Sequence, residues 1–575
     1  MSKPVMSVGE VTQDISELKR NWTLRNSRFG EWYDVLILTD KYSKAKMESF
    51  VSSDPRAFFN MCMYLMISGE LRHFIPITGD SPTELDKQGK IERACQYMWS
   101  VVDRTRRAGG SDPFLWELCF QMIALGWYSW VIAYDEDNNV PILRGWSPAE
   151  TFPRFEEDHM TSCVHSYRLS VIAAKRKAVM NKWTWNTTAT QGTVSLDDYF
   201  ILDEKDVLWN MILLDGQDTT GWVQRPDMKL FVAPVAGFPD KGSIKTASYD
   251  WQKFRGQSAL EPSMKTWDAL NKWMTFQMQI LRDTAEPKWQ EFVTGTSQLD
   301  PKKMRQRGAT FSYGAQDKGI LAIQPPALPL ELRATLVDLV RELQKTGFSD
   351  LVFGMVESGQ MPSGVSLGTL ASSSANEVLA PYMDSKNYII AEIDRFWLSK
   401  LKSKKRTFVI KGKKAEKLAS TEIPDDVSVL AESDLATPKD WMERATVANM
   451  LEKHLDSATI QDQILKIPDI QEVKRRKARD LISDHPMAKN VELAAAFQTH
   501  AEYLMSRGDA VQAELFKQAA DALKAQFGVP PAGSGSPAGA TEAEAKRAAA
   551  APAEKVGIAP QLGGMQLPTR NAGGG

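Results

Sequence analysis

Cysteine, histidine and long apolar runs are scarce in this chain, and each scarcity closes off a class of function. Four cysteines in 575 residues, Cys62, Cys95, Cys119 and Cys163, form no Cys-x-x-Cys pair. That argues against a disulfide scaffold and the common zinc modules and leaves buried, reduced thiols. No Gly-x-x-x-x-Gly-Lys-Ser/Thr occurs, and the nearest stretch, "GFPDKGSIK" at 237–245, misses the spacing of a phosphate-binding loop. The most membrane-like segment, "FQMIALGWYSWVIAY" at 120–134, is interrupted by Gln121, Gly126 and Ser129, whereas a span needs roughly 20 apolar residues. The start, "MSKPVMSVGEVTQD", is polar and lacks a signal-peptide core. Seventy basic against 72 acidic residues give a net charge of −2, so any contact with nucleic acid must be local. The expectation is a soluble protein with no membrane partner.

Tryptophan, by contrast, is abundant: 17 residues, enough for broad packed interfaces as well as a core. Residues 54–69, "DPRAFFNMCMYLMISG", read as a helix with Asp54 as N-cap, Pro55 at the first position and Gly69 as the stop. The same grammar recurs in "DPFLWELCFQMIALG" at 112–126. Past Gly126, "WYSWVIAY", the turn-rich "DEDNN" and "VPILRGW" predict a hairpin, and short strands continue to about residue 245. This is mixed helix and antiparallel strand, without the alternation of a doubly wound sheet.

A different regime begins near 256. Leu260, Met264, Trp267, Leu270, Met274, Met278 and Leu281 form one apolar stripe on a long helix. Strand-like pieces follow, "KWQEFV", "ATFSYG" and "GILAIQPP". A second helix from about 329 carries Leu332, Leu336, Leu339, Val340 and Leu343 on one side and stops at Thr346-Gly347. After the Gly/Ser-rich stretch 358–374 one long helix runs through Pro381, where the missing amide and the ring predict a kink. The segment from 438 to 528 reads as helical, and the Ala/Gly/Pro run beyond Gly528 as disordered.

Three groups invite a chemical reading. Gly364-Val365-Ser366-Leu367-Gly368 matches the Gly-x-Ser-x-Gly of hydrolases, but a nucleophile elbow needs a buried strand before the turn. Here "GMVESGQMPS" precedes it, polar and glycine-broken, so a flexible loop entering a helix is the better reading of Ser366. His159, Cys163 and His165 cluster in "RFEEDHMTSCVH"; their spacing fits no zinc module, and Phe155 to Tyr167 reads as a hairpin with an acidic tip. Cations gather at 400–417, including Lys404, Lys405 and Arg406, at Lys474, Arg475, Arg476 and Lys477, and at Lys302, Lys303, Arg305 and Arg307. The first two clusters suit phosphate contacts or solvated faces and ion pairs, the third a docking surface.

The order of parts, with "FRGQSALEP" (254–262), "GILAIQPP" (319–326) and "TGFSDLVFG" (346–354), resembles the portal proteins of tailed bacteriophages over roughly residues 50 to 528. The resemblance implies a mixed α+β fold with an α/β wing at 1–255, stem helices at 256–288 and 329–347, and a small β-containing clip at 289–328. A tunnel loop at 348–365 would follow, then the kinked helix with more wing at 366–440 and a helical crown at 441–528. The tail at 529–575 has no counterpart. It further implies a homo-oligomeric ring, usually a dodecamer, at one capsid vertex, through which double-stranded DNA is packaged and ejected. Implied partners are the large terminase, a head-completion or adaptor protein, and the major capsid and scaffolding proteins. The virion, and the host cytoplasm during assembly, would be its locations. No enzymatic activity, catalytic residue, metal or cofactor is implied. Glu357, Ser358, Gly359, Gln360, Met361, Pro362, Ser363 and Gly364 would form the channel constriction, with no Lys or Arg to grip phosphate. The competing readings are a serine hydrolase using Ser366 and another oligomeric phage tail or baseplate component.

Overall fold

The polar N-terminus begins a helix because Ser7 and Glu10 cap it reciprocally: the Ser7 hydroxyl accepts from the Glu10 amide, and the Glu10 carboxylate accepts from the Ser7 amide at 2.7 Å. The computed structural model describes residues 6–433 apart from 44–48, 70, 77–81, 157–158, 189, 203–206, 238–253, 286–287, 293–318, 324–329, 347–363, 412–414 and 426, then 450, 486–506 and 510–525. Helices α1 (Val8–Asn21), α2 (Thr23–Leu36) and α3 (Asp54–Ile67) are followed by strand β1 (Leu71–Phe74), α4 (Pro82–Ala108) and α5 (Phe114–Leu125). The two Asp-Pro openings are shifted from expectation. Ser53, not Asp54, is the N-cap of α3, Pro55 is its second residue, and Ser68 rather than Gly69 closes it. Pro113 caps α5, whose first amide, Phe114, donates to Asp103 Oδ1 at 3.0 Å. Gly126 ends α5 at φ 63°, as its sequence predicts.

The expected hairpin is β2 (Trp127–Asp135) with β3 (Val140–Gly145). Then come β4 (Thr151–Glu156), β5 (His159–Ser170), α6 (Val171–Asn181), β6 (Thr193–Leu202), β7 (Leu208–Leu214), β8 (Gln217–Asp218), β9 (Val223–Gln224) and β10 (Met228–Pro234). All pairings are antiparallel. Strands β10–β2–β3 make one sheet and β4–β5–β6–β7–β8 another, with β9 also on β7. Strand alternation gives the larger sheet two covered faces. Val164, Tyr199, Met211 and Leu213 pack with Val11, Ile15 and Leu18 of α1. Leu196, Ile212 and Leu214 pack with Val171, Ala174 and Ala178 of α6.

Beyond residue 256 the chain leaves on α7 (Glu261–Ala285), turns through β11 (Lys288–Phe292) paired antiparallel with β12 (Gly319–Ile323), and returns on α8 (Leu330–Thr346), which packs against α7. Helix α9 (Gly364–Ser403) continues unbroken through Pro381. Strands β13 (Phe408–Ile410) and β14 (Glu416–Leu418) pair with each other, and β15 (Leu430–Ser433) pairs with β1. The second half of α9 lies in the main core through Tyr382, Ile389, Ile390, Ile393, Trp397 and Leu401. Each such side chain contributes roughly 1.5–3 kcal/mol by leaving water. Its buried Asp394 accepts from Trp99 Nε1 at 2.9 Å and pairs with His73 Nδ1 at 2.6 Å, and Lys386 Nζ donates to the Met66 carbonyl at 2.8 Å. Burial pulls the Lys386 ammonium below its ordinary pKa.

Residues 472–575 form a separate compact unit whose described part is a helical hairpin, α10 (Pro486–Ser506) and α11 (Ala510–Ala525). Ala494, Ala501, Ala513 and Ala520 are buried in it, and Phe497 lies 5.7 Å from Phe516. Small residues at these positions let the two backbones approach closely. Among the described residues no helix is long and apolar enough to cross a membrane.

Candidate functional site: a rooted helix pair

The α7–α8 pair leaves the body of the first unit from the segment "FRGQSALEP" that feeds α7. Helix α7 is also held along its first half: the Ser52 amide donates to Asn271 Oδ1 at 2.8 Å, the Phe50 amide donates to Thr275 Oγ1 at 3.0 Å, and Phe58 lies 5.9 Å from Trp267. At the feeding segment Gly126 (φ 63°) and Gly256 (φ 83°) lie back to back. A Cβ on Gly126 would stand 2.5 Å from the Gln257 backbone, and one on Gly256 would stand 2.5 Å from the Gly126 carbonyl. Only glycine combines that contact with that backbone. Around this crossing Trp127 Nε1 donates to the Arg255 carbonyl at 2.9 Å, and the Tyr382 hydroxyl donates to the Gln257 carbonyl at 2.8 Å. The Ala259 amide and the Ser258 hydroxyl both donate to the Ile123 carbonyl, at 3.0 and 2.9 Å. Arg28 donates to both carboxylate oxygens of Glu261, the first residue of α7, at 3.0 and 3.2 Å; an acid there also complements the helix dipole. Four elements thus set the direction in which α7 leaves.

The expected stripe on α7 is buried at Leu260, Trp267 and Leu270, half-buried at Met264, Met274 and Met278, and opens at Leu281, 54% exposed; Phe276, off the stripe, is 38% exposed. On α8, Leu336, Leu339 and Leu343 are half-buried, whereas Val340, expected on the same side, is 45% exposed and Val337 51%. The two helices pack on each other and, among the described residues, leave Phe276, Leu281, Val337 and Val340 as exposed apolar side chains.

Glu357 to Ser363, Lys302, Lys303, Arg305, Arg307 and Lys474 to Lys477 lie outside the described residues. Helix α9 begins at Gly364, two positions before the expected 366, so Gly364 belongs to the helix rather than to the loop. That also places all of Gly364-Val365-Ser366-Leu367-Gly368 in helical backbone, without the strand-to-helix corner of a nucleophile elbow. Pro381 leaves the Glu377 carbonyl without its helical donor, and Ser385 Oγ donates back to the Pro381 carbonyl at 2.9 Å.

The 404–406 cations face carboxylates of the same chain. Lys404 Nζ lies 2.6 Å from Glu136 and 3.2 Å from Asp227, which together raise its pKa, and Arg406 lies 3.9 Å from Glu136. Lys402 pairs with Asp425 at 2.5 Å, holding that carboxyl below its ordinary range. The acidic-tipped hairpin is present as β4–β5. Its Cys163 is buried among apolar side chains, and His165 stacks on Trp146 at 4.4 Å with ring planes 9° apart. Burial, with help from Lys177, pushes His165 down to about 3, so its ring is neutral at neutral pH. The docking role of 254–262 escaped motif reasoning; its signal was Gly256 placed just before a capped helix.

No family model matches this chain, and no curated protein matches it. Solved structures do. A chain in the neck of an empty GTA particle computed with C6 symmetry is similar at a TM-score of 0.37 and 11% identity, covering 76% of this chain and 94% of that one. A chain in the virion of a native gene transfer agent particle gives 0.35 and 10%, covering 72% and 90%. A chain in the neck of a native GTA particle computed with C12 symmetry gives 0.35 and 9%, covering 72% and 89%.

Proposed function

We propose that the chain is a portal-type subunit: identical copies close into a ring at one capsid vertex of a phage-like particle and form the conduit for double-stranded DNA. The observation that carries this reading is the α7–α8 pair. It is rooted at one end by the Gly126–Gly256 crossing and exposes Phe276, Leu281, Val337 and Val340 along its length. A helix pair with exposed apolar side chains on more than one side can be covered by the same pair of the next copy, and a heterologous contact repeated until it closes is a ring. In this reading α7 and α8 are the stem, β11–β12 with its connection the clip, residues 1–255 with 366–440 the wing, and α10–α11 part of the crown. The clip, with Lys302, Lys303, Arg305 and Arg307, is the docking platform for the terminase and later the head-completion protein. The loop 357–363 narrows the channel, and the 404–406 and 474–477 cations are its candidate DNA contacts. The subunit itself performs no chemistry.

Purified full-length protein imaged by negative stain should show closed rings with a central hole. A species that stays monomeric at micromolar concentration overturns the reading, and rings that seat away from a capsid vertex would make it a different particle component. Removing 357–363 should leave ring formation intact and lower DNA retention; loss of the rings would make that segment core instead.

A further inference from the structure

Two helices on opposite faces of the β4–β8 sheet carry exposed surfaces of opposite character. On α6 the buried row is Val171, Ala174 and Ala178. On its far side, at helical spacing, stand Ile172, Arg176, Val179 and Met180, with the three apolar members 72%, 80% and 77% exposed. The helix has no acid: its exposed charges are Lys175 and Arg176, with Lys182 just past its end, while Lys177 is turned to the Tyr167 hydroxyl. On α2, with Phe29 and Trp32 facing inward, the exposed apolar residues are Leu24 and Tyr33, with Ile37 just past its end, and the exposed charges are Glu31 and Asp34, the latter accepting from the Thr39 hydroxyl at 3.1 Å. Its own arginines point away from that surface: Arg25 is buried against the Pro148 and Thr151 carbonyls, and Arg28 is held by Glu261.

We infer that the α6 face of one copy docks on the α2 face of the next, as a head-to-tail contact in the wing layer of the ring. This rests on the ring reading above. A heterologous interface needs two different flanks on one subunit that complement each other. Here they are a basic apolar helix and an acidic apolar helix, separated by one sheet with α1 and α2 on one face and α6 on the other. A basic apolar helix also suits an anionic lipid surface, but that would leave the acidic face of α2 without a counterpart. The same-chain partner accounts for both. Large apolar side chains would anchor the centre and the charges would set register and exclude the wrong pairing.

The test uses the full chain. Arg176→Glu and Glu31→Arg are each exposed substitutions, and thermal melting confirms that both fold. Each alone should raise the concentration for half-assembly about tenfold, since like charges are brought together, and the double variant in one chain should return assembly close to wild type. Val179→Asp should weaken assembly in every background. If wild type forms rings and all three single variants assemble as it does, this contact is wrong while the ring stands. If wild type does not assemble at all, both readings fall, and co-sedimentation with phosphatidylserine vesicles that Arg176→Glu abolishes would assign α6 to a membrane surface instead.

Discussion

Helix α7 is two structures in one element. Its root is enclosed: Leu260, Trp267, Leu270 and Thr275 are buried, and Glu261 is clamped by Arg28. Toward its far end the enclosure loosens: Phe276 and Leu281 are exposed and Met278 and Ile280 are half-buried. The apolar stripe continues through both parts, so the difference lies in what surrounds them. The root is satisfied by its own chain and belongs to folding; in the proposed ring the far end would be covered by another copy and belong to assembly. Substitutions should therefore separate cleanly into those that unfold the subunit and those that leave it folded but alone.

The largest effect is expected at the crossing. Gly256→Ala adds a Cβ 2.5 Å from the Gly126 carbonyl at φ 83°, and should lower unfolding stability by about 4 kcal/mol in urea titrations. Trp267→Ala, in the enclosed part of α7, should cost about 3–5 kcal/mol. Leu281→Ala should stay within about 0.5 kcal/mol of wild type; equal losses from these two would abolish the distinction. The pair Leu281→Ser and Val340→Ser should leave the subunit's melting unchanged and raise the half-assembly concentration about tenfold, read by mass photometry.

A further test reads, through pH, a half-buried residue of strand β5, away from α7. His165 has a folded pKa of about 3, below its unfolded value. Between those values the unfolded chain binds more protons, so stability falls as pH drops from about 6.5 toward 3. Its register partner Asp198, pushed up by burial to about 6, acts oppositely, losing stability as pH rises through the upper part of that window. His165→Phe should therefore flatten the acid loss by on the order of 2 kcal/mol at pH 4 relative to pH 7, and an unchanged pH profile would show the ring is not held neutral.

What was legible in the sequence is what local pattern encodes. The α7 stripe, the β2–β3 and β4–β5 hairpins, the glycine end of α5 and the two helices bracketing β11–β12 all follow from spacing and punctuation. The α1 capping box was also written locally, in Ser7 and Glu10, beneath a composition that reads only as polar. Other features are not local. The crossing of Gly126 with Gly256 joins distant positions, so neither glycine announces its partner. Lys404 and Arg406 look like free cations until folding brings Glu136 and Asp227 beside them. Periodicity identifies Leu281 and Val340 as members of apolar rows but cannot say whether the cover comes from the same chain. Ser366 matched a pattern of letters whose mechanism depends on a corner, and the backbone there is helical.

Strand β1 finds its partner β15 about 360 residues later in the chain, and such distant pairing is slow to form. Everything between them, the helix pair included, is synthesised before that two-stranded seam can close. A nascent subunit therefore exposes its projecting rods while its own body is still open at Leu71–Phe74, the kind of unpaired edge that recruits wrong neighbours. Translation order alone thus gives this polypeptide a reason to be chaperoned, or to be made slowly, until its last strand arrives.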